Sequence, residues 1–443
     1  MEEAGDGDGE GVLAHVVKRA ATYALLGTTA ITAIAPIAYA ADHPATTPPA
    51  HQELLEHELP DDYRIDVGDY EVRLPKEMVL PAEGGAYDRD DALEKYVEQG
   101  QYVRSWQQIP VDSPLRDGGL GKYHVPEEVA EELYALQKKA PDLAHVEIIG
   151  KSGLGNPIYA IRIGSDARVK DREARTEVLL VGQFHAREAI AVEVPLDVAK
   201  AMVDGYGKDA NITKLVDGRD TWIIPSFNTD GGMIVAEQVR RYGDSDHRKN
   251  AHDNSELVEE GDWSERSSSL HGVDLNRNFP EAWGKPGASG NYWHQTYRGP
   301  EAMSEQETKV MVEFVDKHDF KGTLAFHSYG GEYQYAPDYT TEDGERETLY
   351  RAIGEGMSER MERAYDVMHG GRTALASGTY TDWADSKGML AYTVELEGGG
   401  GWGNTFTQFN PDEEDIDDVV DNNLPAVLWF IEMMDDPEQV LEK

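Results

Sequence analysis

The sequence predicts an α/β fold: a mixed, mostly parallel twisted sheet with helices on both faces, carrying an N-terminal extension. Three observations lead there. From about residue 122 onward, strand-like and helix-like segments alternate. Residues 177–181 read as a continuous apolar strand, the pattern of a strand covered on both faces. The chain is 443 residues long with 40% hydrophobic and 9% aromatic residues, enough to bury a large core.

The elements follow in order. Residues 127–139 carry apolar side chains at helical spacing. Residues 145–149 and 158–163 read as a strand pair around the turn Gly153-Leu154-Gly155-Asn156. After the strand at 177–181 comes an amphipathic helix over 189–203, then a strand over 222–227. Ser304-x-x-Glu307 reads as a capping box that opens a helix through Val315. Residues 323–326 and 391–396 are short buried strands, and 419–433 a closing helix in which Pro425 marks a start or a kink. The main domain is placed at residues 121–435, with 436–443 as a tail. In such sheets ligands sit beyond the carboxyl ends of the strands.

Charge narrows the function. Lys and Arg number 41 against 84 Asp and Glu, a net charge of −43. Nucleic acid and anionic lipid are excluded as non-specific partners, because their phosphates are repelled. A carboxylate shell this dense resembles that of halophilic proteins and needs dissolved cations to screen it. Cysteine is absent, so there are no disulfides, thiolate metal sites or Cys nucleophiles; any metal is held by His, Asp or Glu.

The first 17 residues are acidic and Gly-rich; Lys18-Arg19 then precede an uncharged run over 20–41 that ends in Ala38-Tyr39-Ala40. Residues 1–41 are read as an acidic tip with a cleaved export signal, which makes the protein secreted; a retained membrane anchor at 20–41 is the alternative. A Pro/Thr-rich linker at 43–49, strand-like residues 70–74 and a helical stretch at 90–99 make 42–120 an N-terminal extension or a propeptide. The protein is expected to act as a monomer.

The chemistry-bearing residues lie at strand ends. His185 and Glu188 follow the apolar strand directly and can turn toward one point, offering imidazole nitrogen and carboxylate oxygen to Zn²⁺. The same spacing recurs at His124 and Glu127, but at a helix start with no strand leading in, so that pair is read as structural. A third ligand is required, and His327 ends the strand at 323–326. Taken alone, His327, like His247, His252, His294 and His369, reads better as a hydrogen-bonded core histidine.

Ordered blocks settle the choice. Gly150-Lys151-Ser152 with Pro157–Ala160, Phe184-His185-Ala186-Arg187-Glu188, Pro225–Gly231, Gly272–Phe279, Tyr297-Arg298-Gly299-Pro300 with Ser304-Glu305, Phe326–Tyr329, and Ala376–Gly378 with Asp382-Trp383 and Tyr392–Leu396 occur in sequence. Together they resemble the zinc metallocarboxypeptidases of the funnelin type, the carboxypeptidase A/T family, over about seven-tenths of the chain. The resemblance implies one Zn²⁺ on His185, Glu188 and His327, with Glu395 as general base acting through a metal-activated water. Glu397, of the same strand parity, is the runner-up for the base. It implies Asn276 and Arg277 as the clamp on a substrate's terminal carboxylate, Arg187 and Tyr329 lining the groove, and Asp274 behind His185. The Ser328-Tyr329 bond is expected to be cis. Thr381 occupies the position that helps set the terminal side-chain pocket. The implied substrate is a peptide or protein with a free C-terminal carboxylate.

Two positions depart from the family pattern. The block Arg248-Lys249-Asn250-Ala251 lacks the Arg that stabilises the oxyanion, for which Arg248 or His252 is the substitute. Ala374 stands where the family has a mobile Tyr, with Tyr380 nearby but out of register. The departures keep open an amidase acting on a cell-wall or γ-glutamyl linkage, and an inactive binding homologue. From the charge alone, the melting temperature is expected to fall as ionic strength is lowered; a thermal scan indifferent to added salt would refute the repulsion argument.

Overall fold

The computed structural model describes residues 64–66, 71–73, 120–166, 175–254, 257, 271–400 and 404–442. The export signal or anchor, the Pro/Thr linker and the helix expected at 90–99 lie outside the described residues. Of the extension, β2 (Glu71–Arg73) falls within the strand-like residues 70–74 and pairs antiparallel with β1 (Arg64–Asp66), which lies before them.

The main sheet has eight strands: β3 (Ala144–Lys151), β4 (Pro157–Ile163), β5 (Thr176–Val181), β6 (Arg219–Ile224), β7 (Phe320–Ser328), β8 (Glu332–Tyr335), β9 (Asp366–His369) and β10 (Leu390–Leu396). Their spatial order is β3-β4-β6-β5-β7-β10-β8-β9. The centre, β6-β5-β7-β10, is parallel; β8 runs antiparallel to β10, and β3-β4 continue antiparallel beyond β6. The helices are α1 (Pro126–Lys139), α2 (Ile190–Gly205), α3 (Ala210–Gly218), α4 (Thr229–Tyr242), α5 (Gln306–Val315), α6 (Glu347–Ser358), α7 (Gly370–Thr373), α8 (Tyr380–Ser386), α9 (Thr405–Phe409) and α10 (Ile416–Met433).

Strand alternation sorts the side chains into two cores. Val178 and Leu180 of β5 join one cluster with residues of α1, α2, α6 and α10, whereas Leu179 and Val181 join the other with α5 and α8. Every residue of β6 is buried, as expected of a strand covered on both faces. The predicted sheet with helices on both faces is what forms.

Three local expectations shift. The strand expected at 222–227 is β6, which ends at Ile224: Pro225 follows, and Asn228 turns its side chain to accept from the Gly231 N–H and open α4. The capping box at Ser304 does not form. Glu305 is the N-cap of α5, Ser304 Oγ donates to Glu305 Oε1, and Glu307 accepts from the Gly153 N–H instead. Pro425 lies inside α10 rather than at its start. The tail forms a 3₁₀ helix, Pro437–Glu442, with Val440 packed on the first core.

The β3–β4 hairpin is tied to α4 by one buried carboxylate. Asp230 accepts from Ser152 Oγ (2.6 Å), the Leu154 N–H (2.8 Å) and Asn156 Nδ2 (2.6 Å). Removing it leaves the buried donors of Ser152 and Asn156 without their acceptor. Asp230→Ala is expected to lower the unfolding free energy by about 3 kcal/mol, read as a shifted denaturant midpoint at unchanged slope.

Candidate metal centre and substrate cleft

Chain order turns back on itself between β5 and β7. From β5 the chain goes outward to β6, then returns past β5 to β7. Adjacent strands therefore send their following loops apart, and a crevice opens at their carboxyl ends. His185 and Glu188 lie in the loop after β5, and His327 is the next-to-last residue of β7. Glu395 sits at the same level of β10, registered directly against His327.

Local constraints aim the His185 loop. A Cβ on Gly182 would stand 2.2 Å from the Ala191 carbonyl oxygen and 2.4 Å from that of Pro225, so only Gly permits this approach of strand, loop and helix. Gln183 adopts a left-handed conformation (φ 56°), held by a hydrogen bond from Ser226 Oγ to its Oε1 (2.6 Å) and from its Nε2 to the Ala186 carbonyl.

The three ligand candidates converge. His185 Nδ1 lies 2.8 Å from Glu188 Oε1, His327 Nδ1 lies 2.9 Å from Glu188 Oε2, and the two Nδ1 atoms are 3.0 Å apart. All three residues are at most 4% exposed. Two imidazole nitrogens and a carboxylate, with lone pairs aimed at one point in a buried place, suit a borderline-soft divalent cation, and Zn²⁺ fits this donor set. Burial alone would raise the Glu188 pKa, but His185 and His327 outweigh it and hold the carboxylate well below its usual range. Burial and the neighbouring His185 charge lower His327 to about 4, so it offers a lone pair at neutral pH.

Asp274 supports this centre from behind. Its Oδ1 is 3.2 Å from His185 Nε2 and accepts from the Asn276 N–H, and its Oδ2 accepts from Arg248 Nε at 2.9 Å. Arg248 in turn reaches inward, with Nη1 3.9 Å from Glu188 Oε1. Desolvation opposes its charge, but Asp274 and Glu188 keep it raised above the ordinary Arg value. His252 is paired with Glu305 instead, and Ala251 packs in a small apolar cluster with Ile234.

Glu395 and Glu397 separate cleanly. Glu395 faces Glu188, Glu332, Arg248 and Arg277; burial first, then the two carboxylates, push its pKa well up. Glu397 lies past the end of β10 and accepts from Arg363, Tyr365 and Asn422.

The clamp residues lie beside the centre on a 3₁₀ turn, Leu275–Arg277. Asn276 Oδ1 accepts from the Tyr380 N–H, and its Nδ2 is 3.4 Å from His327 Nε2. Arg277 anchors Nε and Nη1 on the carbonyls of Gly287 and Asn276, which leaves the guanidinium edge at Nη2 to meet a ligand. Gly378 (φ 69°) packs its backbone against this turn, where a Cβ would approach the Arg277 carbonyl oxygen to 2.4 Å.

The remaining predicted residues divide. Tyr329 follows a cis peptide bond, and its ring meets Phe409 edge-on at 5.2 Å; the Arg187 guanidinium lies 4.1 Å over the same Phe409 ring. These three side chains form one wall. Thr381 is buried and shares its hydroxyl with Thr393 Oγ1. Tyr380 does not replace the missing tyrosine: it is fully buried, with its hydroxyl on Thr323 Oγ1. Ala374 is exposed. His124, whose pairing with Glu127 was read as structural, binds Glu193 at 2.7 Å instead.

Sequence reasoning missed Asp338 altogether and took Asp382 only as part of a motif. Both are buried near Arg277. Burial raises both pKa values, and Asp338 adds its repulsion to Asp382. Asp382 Oδ1 accepts from the Asp338 N–H, and both carboxyls lie close enough to Arg277 to favour its charge. Asp338 lies well past the His327 block, in the loop after β8, so no local motif marks it.

Known proteins agree with this geometry. The family model "Zinc carboxypeptidase" matches residues 129–426. Carboxypeptidase B of Bos taurus is 30% identical over 68% of this chain and 70% of its own length. Carboxypeptidase A1 of Bos taurus is 29% identical over 63% of this chain and 64% of its own length. The crystal structure of thrombin activatable fibrinolysis inhibitor superposes with a TM-score of 0.61 at 22% identity, over 78% of this chain and 81% of that one.

If the three residues form one centre, chelation must be felt by the fold. Removal of metal is expected to lower the melting temperature, and Zn²⁺ to restore it; His327→Ala should show a clearly smaller response to both, read by calorimetry.

Proposed function

Because the chain belongs to the zinc carboxypeptidase family, we propose that it removes C-terminal residues from peptides and proteins, with Glu395 as its general base. One observation carries the reading: the strand pairing that sets Glu395 opposite His327 puts a carboxylate beside the ion's ligands and next to the Asn276/Arg277 clamp.

The chain's residues divide the work. Zn²⁺, when bound, supplies a Lewis acid and lowers the pKa of a bound water. Arg277 and Asn276 grip the terminal carboxylate, which fixes the scissile bond one residue inward and makes the enzyme an exopeptidase. Glu395 takes the proton of the attacking water and gives one to the departing amine. Burial raises its pKa, which suits it to hold the proton that it passes on. Arg248 takes the oxyanion role, because its Nη1 is already at the centre and its Nε is locked on Asp274. Arg187, Tyr329 and Phe409 form the wall for the residue before the scissile bond. Thr381 lies under the terminal side chain.

The export of the mature enzyme, its action as a monomer in salt-rich surroundings and the covering of the cleft by residues 42–120 complete the reading; they rest on the N-terminal pattern and the charge of −43. Among the described residues no helix is long and apolar enough to cross a membrane. An amidase on a non-standard linkage is not favoured, since Arg277 and Asn276 form the clamp a terminal carboxylate needs.

Release of the C-terminal amino acid from a synthetic peptide tests the proposal. Glu395→Gln is expected to lower kcat by about 10³-fold or more with zinc content unchanged; full turnover by this variant would remove the assigned base. Arg248→Ala is expected to lower kcat by about 10²–10³-fold with a small change in KM; a loss confined to KM would place Arg248 in substrate binding instead.

A further inference from the structure

Among the described residues, one other place gathers metal-ligating side chains. Asp343 in the loop after β8, Glu347 at the start of α6 and His369 at the end of β9 each put a ligand atom within 4.8 Å of the others. This group shares no residue with the catalytic centre. Carboxylates near a surface form such groups by chance, and Asp343 is itself exposed and paired with Arg372. The other two members set this one apart.

His369 is 1% exposed, and its Nε2 lies 3.0 Å from the Glu342 carbonyl oxygen. A carbonyl only accepts, so the proton is on Nε2 and Nδ1 carries the lone pair. That Nδ1 is buried and has no hydrogen-bond partner. Glu347 repeats the pattern. Its Oε1 accepts from Tyr335 Oη (2.7 Å) and Arg351 Nη2 (2.8 Å), while Oε2 is buried with no partner. Buried acceptors are nearly always satisfied, so two unmet ones in one three-residue group point to a ligand for that group. A histidine fixed through one nitrogen on a backbone carbonyl, with the other free, is how proteins orient an imidazole toward a metal.

We propose that Asp343, Glu347 and His369 bind a second divalent ion of the zinc class. The imidazole selects a borderline transition ion over Ca²⁺ or Mg²⁺, which require an all-oxygen shell. The ion would tie the loop between β8 and α6 to the edge strand β9, and Asp343 would leave Arg372 to complete the shell.

Metal counting on the intact protein decides. Protein carrying its catalytic zinc is dialysed against a small excess of Zn²⁺ in high salt with millimolar Ca²⁺, and bound zinc is measured by mass spectrometry. Two ions per chain are expected for the natural sequence and one for His369→Asn. Asp343→Asn, a change at an exposed side chain, is expected to weaken the second equivalent by at least about tenfold while peptide hydrolysis stays intact; it carries the test if the buried histidine variant fails to fold. A natural protein that stops at one ion, a second equivalent displaced by Ca²⁺, or one equally tight in Asp343→Asn would each overturn the proposal.

Discussion

Everything at the active centre depends on the parallel pairing of β5, β7 and β10. This pairing brings together residues far apart in the chain, because all three strands end at one edge and the connection reverses there. Register matters as much as topology. Glu395 and His327 are direct partners, so their side chains leave the sheet on the same side and at the same height. A slip of one residue on β10 would turn Glu395 to the opposite face and put an apolar neighbour, Val394 or Leu396, beside the ligands. The two hydrophobic cores forbid that slip: Val394 and Leu396 are fastened in the first core, while Ala391 is held in the second.

The cleft gathers buried charge at a density that needs explicit balance. Glu188 lies against two histidines, and Asp274 faces both His185 and the Arg248 guanidinium. Arg277 answers the clamp's own burial with the Asp338–Asp382 pair behind it. Neutralisation is thus pairwise and local, in contrast with the outer surface, where the excess of carboxylates is left to dissolved cations. The two regimes respond differently to salt: surface repulsion is screened within about 10 Å at 0.1 M ionic strength, while buried pairs are screened much less. The fold can therefore respond to salt while the electrostatics of the site stay nearly constant.

Much of this was legible in the sequence, and the reasons for success and failure are physical. Buried strands and the blocks around His185, Asn276 and His327 are local patterns, and the fold brings these three residues close to one another. Strand parity could not separate Glu395 from Glu397, because alternation puts both on the same face. What separates them is that β10 ends at Leu396, after which Glu397 is drawn to Arg363 and Asn422 from distant segments. The capping box at Ser304 failed for a related reason. Glu307 is recruited across the fold by the Gly153 N–H, a partner no local motif reveals. Asp338 and the group around His369 were likewise hidden, since their meaning lies in what surrounds them after folding.

The proposed role of Arg248 rests on how positions 248 and 251 are held. Position 251 is turned toward Ile234 in a small apolar cluster and is 7% exposed, so a long cation there would have to leave that packing to reach the cleft. Three residues earlier, Arg248 reaches both Asp274 and Glu188. Asp274 fixes its Nε, which determines where the planar guanidinium points, and the outer nitrogen then faces Glu188. The same carboxylate that orients His185 thereby orients the cation as well, so the ligand and the charge at its side are set by one anchor. A lysine at 248 would keep the charge but could not hold Asp274 through one nitrogen while aiming another at the centre. The requirement at this position is therefore for the shape of the guanidinium, not for positive charge alone.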